Sequence, residues 1–600
     1  MTFLVVPSLE KAHGTGHLTR SQDLVRSLRD MGKEAYLFAG SGERRIALDT
    51  SLPVFEREEE KGRQWDCIVL DRFRTPAEEF EKWSALGPVI GIDEGGPCRE
   101  NFPFLIDLLP PLPRTAPANI CDPSLLPLPH ARRASFSLSD SGGRDGSPLR
   151  ILVSFGGADL ENTAIPACRA LAAPGALITC LNPHPPHPRV HGVTFLDSLP
   201  DLREHLAAYD LVITHFGLTA FESIHARVPV LLVSPGAYHE SLARAAGFVS
   251  AGTGASGIRR LAKLLYSAGR INRRFLRKLR SACEEAATRY GLAEPPARRL
   301  GDLLGTYAPR FPKGCPVCGS RARAPVISRF PDRTYLRCPA CALVYMARPA
   351  PPPVAYERAY FFELYRNQYG KTYLEDFPSL VDAARARLDV MGPLLPGAPD
   401  LSVPPRILDI GCAYGPFLAA ARERGYDPVG IDPTADAVRY VREELGLRAF
   451  HGFFPYSHGT RDFVAGSFDA VCLWYVIEHF EDLAGVFAEI RRLLKTGGVL
   501  SFATPSFGGV SARVSAAGFL EKSPSDHFTL WEPKHTAAIL KARGFELRKL
   551  AISGHHPERF PILGGLFRNR RHGFLYRLFL RLSRVFRLGD TFEAHAVKLP

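Results

Sequence analysis

Three groups of residues have the types and spacing that chemistry requires. The first is Arg406-Ile-Leu-Asp-Ile-Gly-Cys-Ala-Tyr-Gly-Pro-Phe-Leu418. Its apolar run (Ile407, Leu408, Ile410) reads as a short buried strand, followed by a turn from Gly411 to Gly415 and a helix start near Pro416. Gly411 takes backbone angles that other residues reach only at a cost, and it admits a ligand close to the main chain. The helix start offers that ligand unpaired N–H groups. A second strand, Pro428-Val-Gly-Ile-Asp432, ends in an acid 23 positions after Asp409. That is close to the spacing at which a doubly wound sheet grips a ribose. The pattern is Asp-x-Gly-x-x-x-Gly, not Gly-x-Gly-x-x-Gly, and Asp409 at the strand end would repel a pyrophosphate. A nucleoside ligand with a cationic centre and no phosphate, such as S-adenosylmethionine (SAM), fits both facts.

The second group lies in the first half of the chain. Gly14-Thr-Gly-His-Leu-Thr-Arg20 follows an apolar run, Phe3 to Val6. Gly156 and Gly157 follow another, and Gly217-Leu-Thr-Ala-Phe-Glu222 a third. Glycines at strand-to-helix turns let backbone N–H groups cradle a diphosphate. Glu222, one turn into its helix, can accept both hydroxyls of a ribose. His17, on the glycine loop with Gly16 and Arg20, can take a proton from a water or a sugar hydroxyl that attacks an anomeric carbon. The third group is Cys315-x2-Cys318 and Cys338-x2-Cys341, separated by 19 residues. This spacing suits tetrahedral zinc, and four thiolates fill the coordination shell, so the ion is expected to be structural.

Two resemblances rest on these residues. Residues 400–555 resemble a class I SAM-dependent methyltransferase. Asp409-Ile-Gly-Cys-Ala-Tyr-Gly415 matches that family's first motif, with Ala413 where glycine is more usual. Asp432 matches its ribose acid, Ser467-Phe-Asp-Ala-Val-Cys-Leu-Trp-Tyr-Val-Ile-Glu-His479 its fourth-strand motif, and Leu493-Leu-Lys-Thr-Gly-Gly-Val-Leu500 the segment after it. The resemblance implies a Rossmann-like domain with SAM held by Asp409, Gly411, Cys412, Gly415 and Asp432. His479 is the nearest titratable residue for the acceptor's proton, and His527 and His535 stand on the expected acceptor side. The first half resembles the two-lobed glycosyltransferase-B superfamily, within it the nucleotide-sugar hydrolase of pseudaminic acid biosynthesis. The Gly-x-Gly-His-x-x-Arg loop, the Ser-Phe-Gly-Gly-x-Asp turn and the Gly-x-Thr-x-x-Glu helix start are all present. That resemblance implies a catalytic base at His17 and a nucleotide sugar, UDP-linked, held by Gly16, Arg20, Gly156, Gly157, Gly217, Thr219 and Glu222.

The elements that must position these groups divide the chain. Its 600 residues suggest roughly three or four domains of about 150 residues. The expectation is an α/β protein with a glycosyltransferase-B-like region (an α/β lobe at 1–107, a Pro- and Ser-rich linker at 108–149, a nucleotide-binding α/β lobe at 150–305). A zinc ribbon at 306–348, a helical lead-in at 349–399 and a methyltransferase domain at 400–600 follow. The aromatic stretch Tyr356 to Tyr373 either lids the SAM site or simply packs on the domain. His215, His225 and His239 read as structural, and His184 and His187 as part of a proline-rich loop rather than a metal site.

Twelve scattered or Cys-x-x-Cys cysteines exclude a disulfide framework and indicate a reduced, cytoplasmic chain. No run approaches a spanning helix, and Met1 to Pro7 is too short for a signal core. The net charge of +13 is concentrated in arginine-rich patches. Arg259 to Arg280 reads as a solvated helix face. Arg559 to Leu588 holds eight arginines and no acid. It reads either as an amphipathic helix covering the domain or as a peripheral membrane contact that would suit a lipid-linked glycan. The combined expectation is a bifunctional enzyme of surface-sugar metabolism, with a sugar or glycan methyl acceptor. A glycosyltransferase joined to a glycan-capping methyltransferase is the alternative. A nucleic-acid-binding methyltransferase ranks last, because few aromatics suited to base stacking surround the ribbon cysteines.

Overall fold

The computed structural model describes all residues except 9–15, 40–50, 56–62, 114, 137–147, 157–158, 160–161, 183–186, 310, 354–355, 397–402, 456–462 and 561–572. Gly14, Gly157 and His184, part of the expected linker and part of the basic segment therefore lie outside the described residues.

The chain forms two compact units. One comprises 1–310 with 329–333 and 348–350; the other comprises 311–328, 334–347 and 351–600.

The first unit holds two parallel sheets. Runs such as Phe3–Val6 and Ile68–Leu70 are apolar on both faces, as strands covered by helices on both sides must be. In the first sheet the spatial order is Val54–Phe55, Glu34–Phe38, Thr2–Pro7, Cys67–Asp71, Val89–Ile92, Phe104–Asp107 and Ile120–Cys121. Ile120–Cys121 falls inside the stretch expected as linker, and Leu125 and Leu126 beyond it are buried. The second sheet runs Val193–Leu196, Ala176–Leu181, Leu149–Ser154, Leu211–Thr214, Val230–Ser234 and Ser250–Thr253. In both sheets the order reverses beside the first strand. The crevice at the strand ends there is where open α/β sheets bind ligands.

The second unit is built on a seven-stranded sheet. Its order is Arg448–His451, Asp427–Asp432, Arg406–Ile410, Phe468–Trp474, Leu494–Pro505, Thr591–Lys598 and Phe545–Ser553. Five strands are parallel, and Thr591–Lys598 runs antiparallel to both its neighbours. The helix Phe377–Met391, in the stretch expected as lead-in, buries Val381, Ala384, Leu388 and Met391 against Ile407, Phe417 and Val499. It is thus part of the same core.

The ribbon strands form a further sheet, ordered Val326–Phe330, Arg333–Arg337, Val344–Ala347 and Thr529–Leu530. The fourth strand comes from the C-terminal domain: Val344 pairs with Leu530 and Tyr345 with Thr529. Cys315, Val317, Leu336, Cys338, Leu343 and Tyr345 share one apolar cluster with Leu408, Phe487 and Trp531. A segment too small to bury a core of its own thus completes one by packing on its neighbour.

Candidate active sites

In the second unit, the strand Arg406–Ile410 delivers Asp409 and the glycine turn delivers the helix Pro416–Glu423. The turn requires its glycines. Gly411 and Gly415 have φ of 74° and 80°, and a Cβ on Gly411 would lie 2.5 Å from Val476 Cγ2. Ala413 holds φ 47° without being glycine. Asp409 is buried, and its Oδ1 has no hydrogen-bond partner among the described residues. Burial raises its pKa well above the carboxylate range, against the pull of Arg387. A buried carboxylate oxygen without a donor is costly unless a ligand supplies one, and a cationic ligand fits. Asp432 ends the next strand. Its Oδ2 accepts the Ala413 N–H at 2.8 Å, and its Oδ1 accepts that of Thr434 at 2.8 Å. Burial raises its pKa while those two N–H groups oppose the shift. Each oxygen keeps a second lone pair for a ribose hydroxyl. The Cys412 side chain packs among Leu418, Val438 and Val441.

The aromatic stretch packs on this turn. Phe361, Tyr414 and Ala437 form one cluster, joined by Phe362 and Tyr373. The Tyr414 hydroxyl donates to Asp436 at 2.7 Å. Tyr356 reaches further. Its carbonyl accepts from Thr434 Oγ1 at 3.3 Å, and its hydroxyl donates to Asp526 Oδ2 at 2.7 Å. His479 Nδ1 lies 3.0 Å from the same oxygen and 3.2 Å from the Tyr356 hydroxyl. With Nδ1–H donating to Asp526, Nε2 is left as the basic nitrogen. Burial lowers the His479 pKa, but the hydrogen bond to Asp526 and the charge of Glu478 outweigh it, and the net shift is upward. Asp526 is correspondingly held well below the carboxylate range, chiefly by His479, against burial. The His527 ring stands edge-on to His479 at 4.7 Å and is pushed down to about 3 by burial and by the His479 charge. Glu478 is buried, accepts from Thr504 at 3.0 Å, and is pushed up to about 7 by burial against His479. His535 sits apart, in the first turn of the helix Pro533–Ala542. Sequence reasoning gave neither Asp526, the neighbour of His527, nor Tyr356, the first residue of the aromatic stretch, a part in positioning His479. The signal available was their place in polar and aromatic runs flanking the domain.

The ribbon brings its four cysteines together. All four sulfurs lie within 4.8 Å of one another, with Cys315 to Cys341 and Cys318 to Cys338 both at 3.5 Å, and none is in a disulfide. Thiolates at about 2.3 Å around a tetrahedral zinc stand roughly 3.8 Å apart, so the donor set fits that ion.

In the first unit, His17 and Arg20 lie in the first turn of the helix Gly16–Asp30. His17 Nδ1 is 2.7 Å from Asp71 Oδ1. Asp71 ends the strand Cys67–Asp71 and was not singled out in sequence, although a buried acid closing an apolar strand is itself a signal. Arg20 binds it bidentately and also donates to Asp93 Oδ2 at 2.6 Å. Ser21 adds a hydrogen bond at 3.1 Å. Burial would raise the Asp71 pKa, but Arg20 and His17 hold it well below the carboxylate range.

In the second lobe, Gly217 caps the helix Leu218–His225, which carries Thr219 and Glu222. A Cβ on Gly16 would come within 3.2 Å of Leu218 Cδ1, so that glycine lets the His17 loop approach this helix start. Glu222 is pushed up to about 7 by burial, with Arg203 opposing. Arg203 in turn donates to Asp23 of the first lobe at 2.6 Å. Gly156 has φ 81°, and the His215 ring bridges the carbonyls of Phe155 and Phe216 beside it at 3.2 and 2.9 Å. Asp159 caps the next helix by accepting from Thr163 and Ala164 at 2.9 Å each. His225 contacts the Leu292 carbonyl at 3.0 Å and His187 contacts Asp197 at 2.7 Å, both structural pairings.

Residues 383–550 match the model of a family described as a methyltransferase domain. This part of the chain is a SAM-dependent methyltransferase domain. The chain is 27% identical over 162 residues to the ubiquinone biosynthesis O-methyltransferase of Thiobacillus denitrificans, covering 25% of this chain and 69% of that protein. It is 32% identical over 102 residues to the enzyme of the same name from Methylococcus capsulatus, covering 16% of this chain and 43% of that protein. Among solved structures, a SAM-dependent methyltransferase from Archaeoglobus fulgidus aligns over 40% of this chain and 100% of its own, at 17% identity and a TM-score of 0.28. Among the described residues, no helix is long and apolar enough to cross a membrane.

Proposed function

We propose that this chain is a bifunctional enzyme in which the SAM-dependent methyltransferase acts on a sugar or glycan hydroxyl. In this reading the first unit is of the glycosyltransferase-B type and hydrolyses a UDP-linked sugar. The observation that carries the methyltransferase site is the buried, unpartnered Asp409 Oδ1 beside the glycine turn and Asp432. SAM supplies a methyl group on a sulfonium, which is displaced in line by the acceptor. Asp432 holds the ribose hydroxyls, and the Gly411–Gly415 turn lets the nucleoside lie against the backbone. His479 Nε2 takes the acceptor's proton, with Asp526 and Tyr356 fixing the ring. The relatives' names, O-methyltransferases, agree with an oxygen acceptor. Cys315, Cys318, Cys338 and Cys341 hold a structural zinc ion.

In the first unit, His17 takes a proton from water as the water attacks the anomeric carbon, and the nucleoside diphosphate leaves. Support comes from the His17–Asp71 pair and from the helix start at Gly217, whose free N–H groups suit a diphosphate. Thr219 and Glu222 stand within the first turns of that helix.

The test is thermal denaturation of the full chain with S-adenosylhomocysteine and UDP, separately and together. Each ligand is expected to raise the melting temperature. No shift with S-adenosylhomocysteine would remove the proposed methyltransferase site, and no shift with UDP would remove the nucleotide-sugar reading. UDP release from UDP-sugars without an acceptor, lost in His17→Ala, supports hydrolysis. Release only when an acceptor sugar is present would make the first unit a transferase.

A further inference from the structure

The helix Phe574–Val585 carries a second set of apolar residues on its outward side, which a helix that merely covers a domain does not need. Such a helix turns its apolar stripe inward. Here Phe574 is 81% exposed and Val585 73%, with Leu575, Leu578 and Phe586 also exposed. Phe574, Leu578 and Val585 recur at helical spacing, so they form one outward stripe. The inward side is already occupied. Ser583, the buried residue of this helix, lies 2.7 Å from His555 Nδ1. Phe579 meets Phe560 edge-on, and Leu580 lines a hollow with Leu550 and Ile552 of the edge strand, at whose rim stand the exposed Arg584 and Arg587.

The flank of the stripe is cationic. Arg577, Arg581 and Arg584 are spaced four and three residues apart, which places them along one side of the exposed apolar residues. Arg587 follows the helix end. Among the described residues, none of these four arginines forms an ion pair, and no acid occurs between Arg559 and Leu588. A nucleic acid would match the arginines but leave the phenylalanine and valine in water. An apolar protein groove would match the stripe but not the uncompensated charge beside it. An anionic lipid surface matches both, because apolar side chains enter the acyl boundary while arginines stay at the headgroups.

We propose that the Phe574–Val585 helix docks this chain on an anionic phospholipid surface, with Phe574, Leu578 and Val585 inserted and Arg577, Arg581 and Arg584 at the headgroups. The inference is independent of the catalytic readings, since its test reads binding alone. The full chain is sedimented with vesicles of phosphatidylcholine alone and with vesicles that also contain phosphatidylglycerol. Binding is expected to the anionic vesicles, to weaken as salt rises, and to be roughly a hundredfold weaker in the triple variant Arg577→Gln, Arg581→Gln, Arg584→Gln. Phe574→Ser, Leu578→Ser, Val585→Ser should lose binding as well. All six side chains are exposed, so both variants should keep the wild-type circular dichroism. Absence of binding to anionic vesicles overturns the proposal, as does binding that survives both variants. So does a wild-type dimer, seen by light scattering, that becomes monomeric in the apolar variant while vesicle binding is unchanged: the stripe would then belong to a second copy.

Discussion

Each unit contains a histidine backed by a buried aspartate, but the two pairs balance charge differently. At His17, the carboxylate of Asp71 is shared with Arg20, which grips both oxygens and also reaches Asp93. At His479, no guanidinium among the described residues shares Asp526; the carboxylate leans on the imidazole and the Tyr356 hydroxyl. A carboxylate already paired with arginine chiefly orients its histidine. At His479, burial lowers the pKa but the hydrogen bond to Asp526 and the charge of Glu478 outweigh it and raise it. The same two residue types thus sit in two charge environments, one carboxylate shared with a guanidinium and the other with a tyrosine hydroxyl.

The largest effect that tests this contrast is on the reaction itself. His479→Gln should lower the methyl-transfer kcat by about 10²- to 10⁴-fold while leaving S-adenosylhomocysteine binding intact. Loss of binding instead would make His479 part of the nucleoside pocket. Next comes stability. Asp71→Asn takes from the buried Arg20 the carboxylate it grips with two nitrogens, leaving it only Asp93, and should cost about 3–5 kcal/mol in the calorimetric transition of the first unit. Asp526→Asn strands no arginine and should cost about 1–3 kcal/mol. Equal costs would erase the distinction between the pairs.

A smaller effect is in pH. His479 works as a base only when neutral, and its folded pKa is raised, so the rate should climb with pH only above the ordinary imidazole value. Asp526→Asn removes the main upward pull and should move that limb to lower pH. A limb that stays put would mean that Asp526 does not set the titration. The smallest expected effect is from chelation. Stripping zinc with a strong chelator should release one ion per chain by colorimetric assay and lower the transition of the second unit alone.

Much of the second unit was legible because its signals are local. Asp409, Gly411, Gly415 and Asp432 announce a turn and a strand end within a few residues, and the four cysteines carry their geometry in their spacing. His17 and Arg20 were legible for the same reason. Their partners were not. Asp71 lies 54 positions from His17, Asp526 is 47 from His479, and Tyr356 is 123 from it. Nothing local distinguishes such residues until the sheet order brings strand ends together. The outward stripe of the last helix was likewise hidden: periodicity reveals that Phe574, Leu578 and Val585 share a face with Arg577 beside them, but only packing reveals which face turns to the core. The ribbon's fourth strand was invisible for a related reason, since Thr529–Leu530 is two residues long and belongs by sequence to another domain.

That borrowed strand limits how this chain can be rebuilt. Thr529 follows Asp526 by three positions, and the Met346 N–H donates to the Phe528 carbonyl at 2.9 Å. The segment that presents Asp526 is therefore stitched to the cysteine-bearing sheet. A recombination that exchanged the ribbon for a foreign one, or deleted it as a detachable module, would shift the carboxylate that holds His479 along with it. Ribbon and methyltransferase must be inherited, transplanted or engineered as one piece.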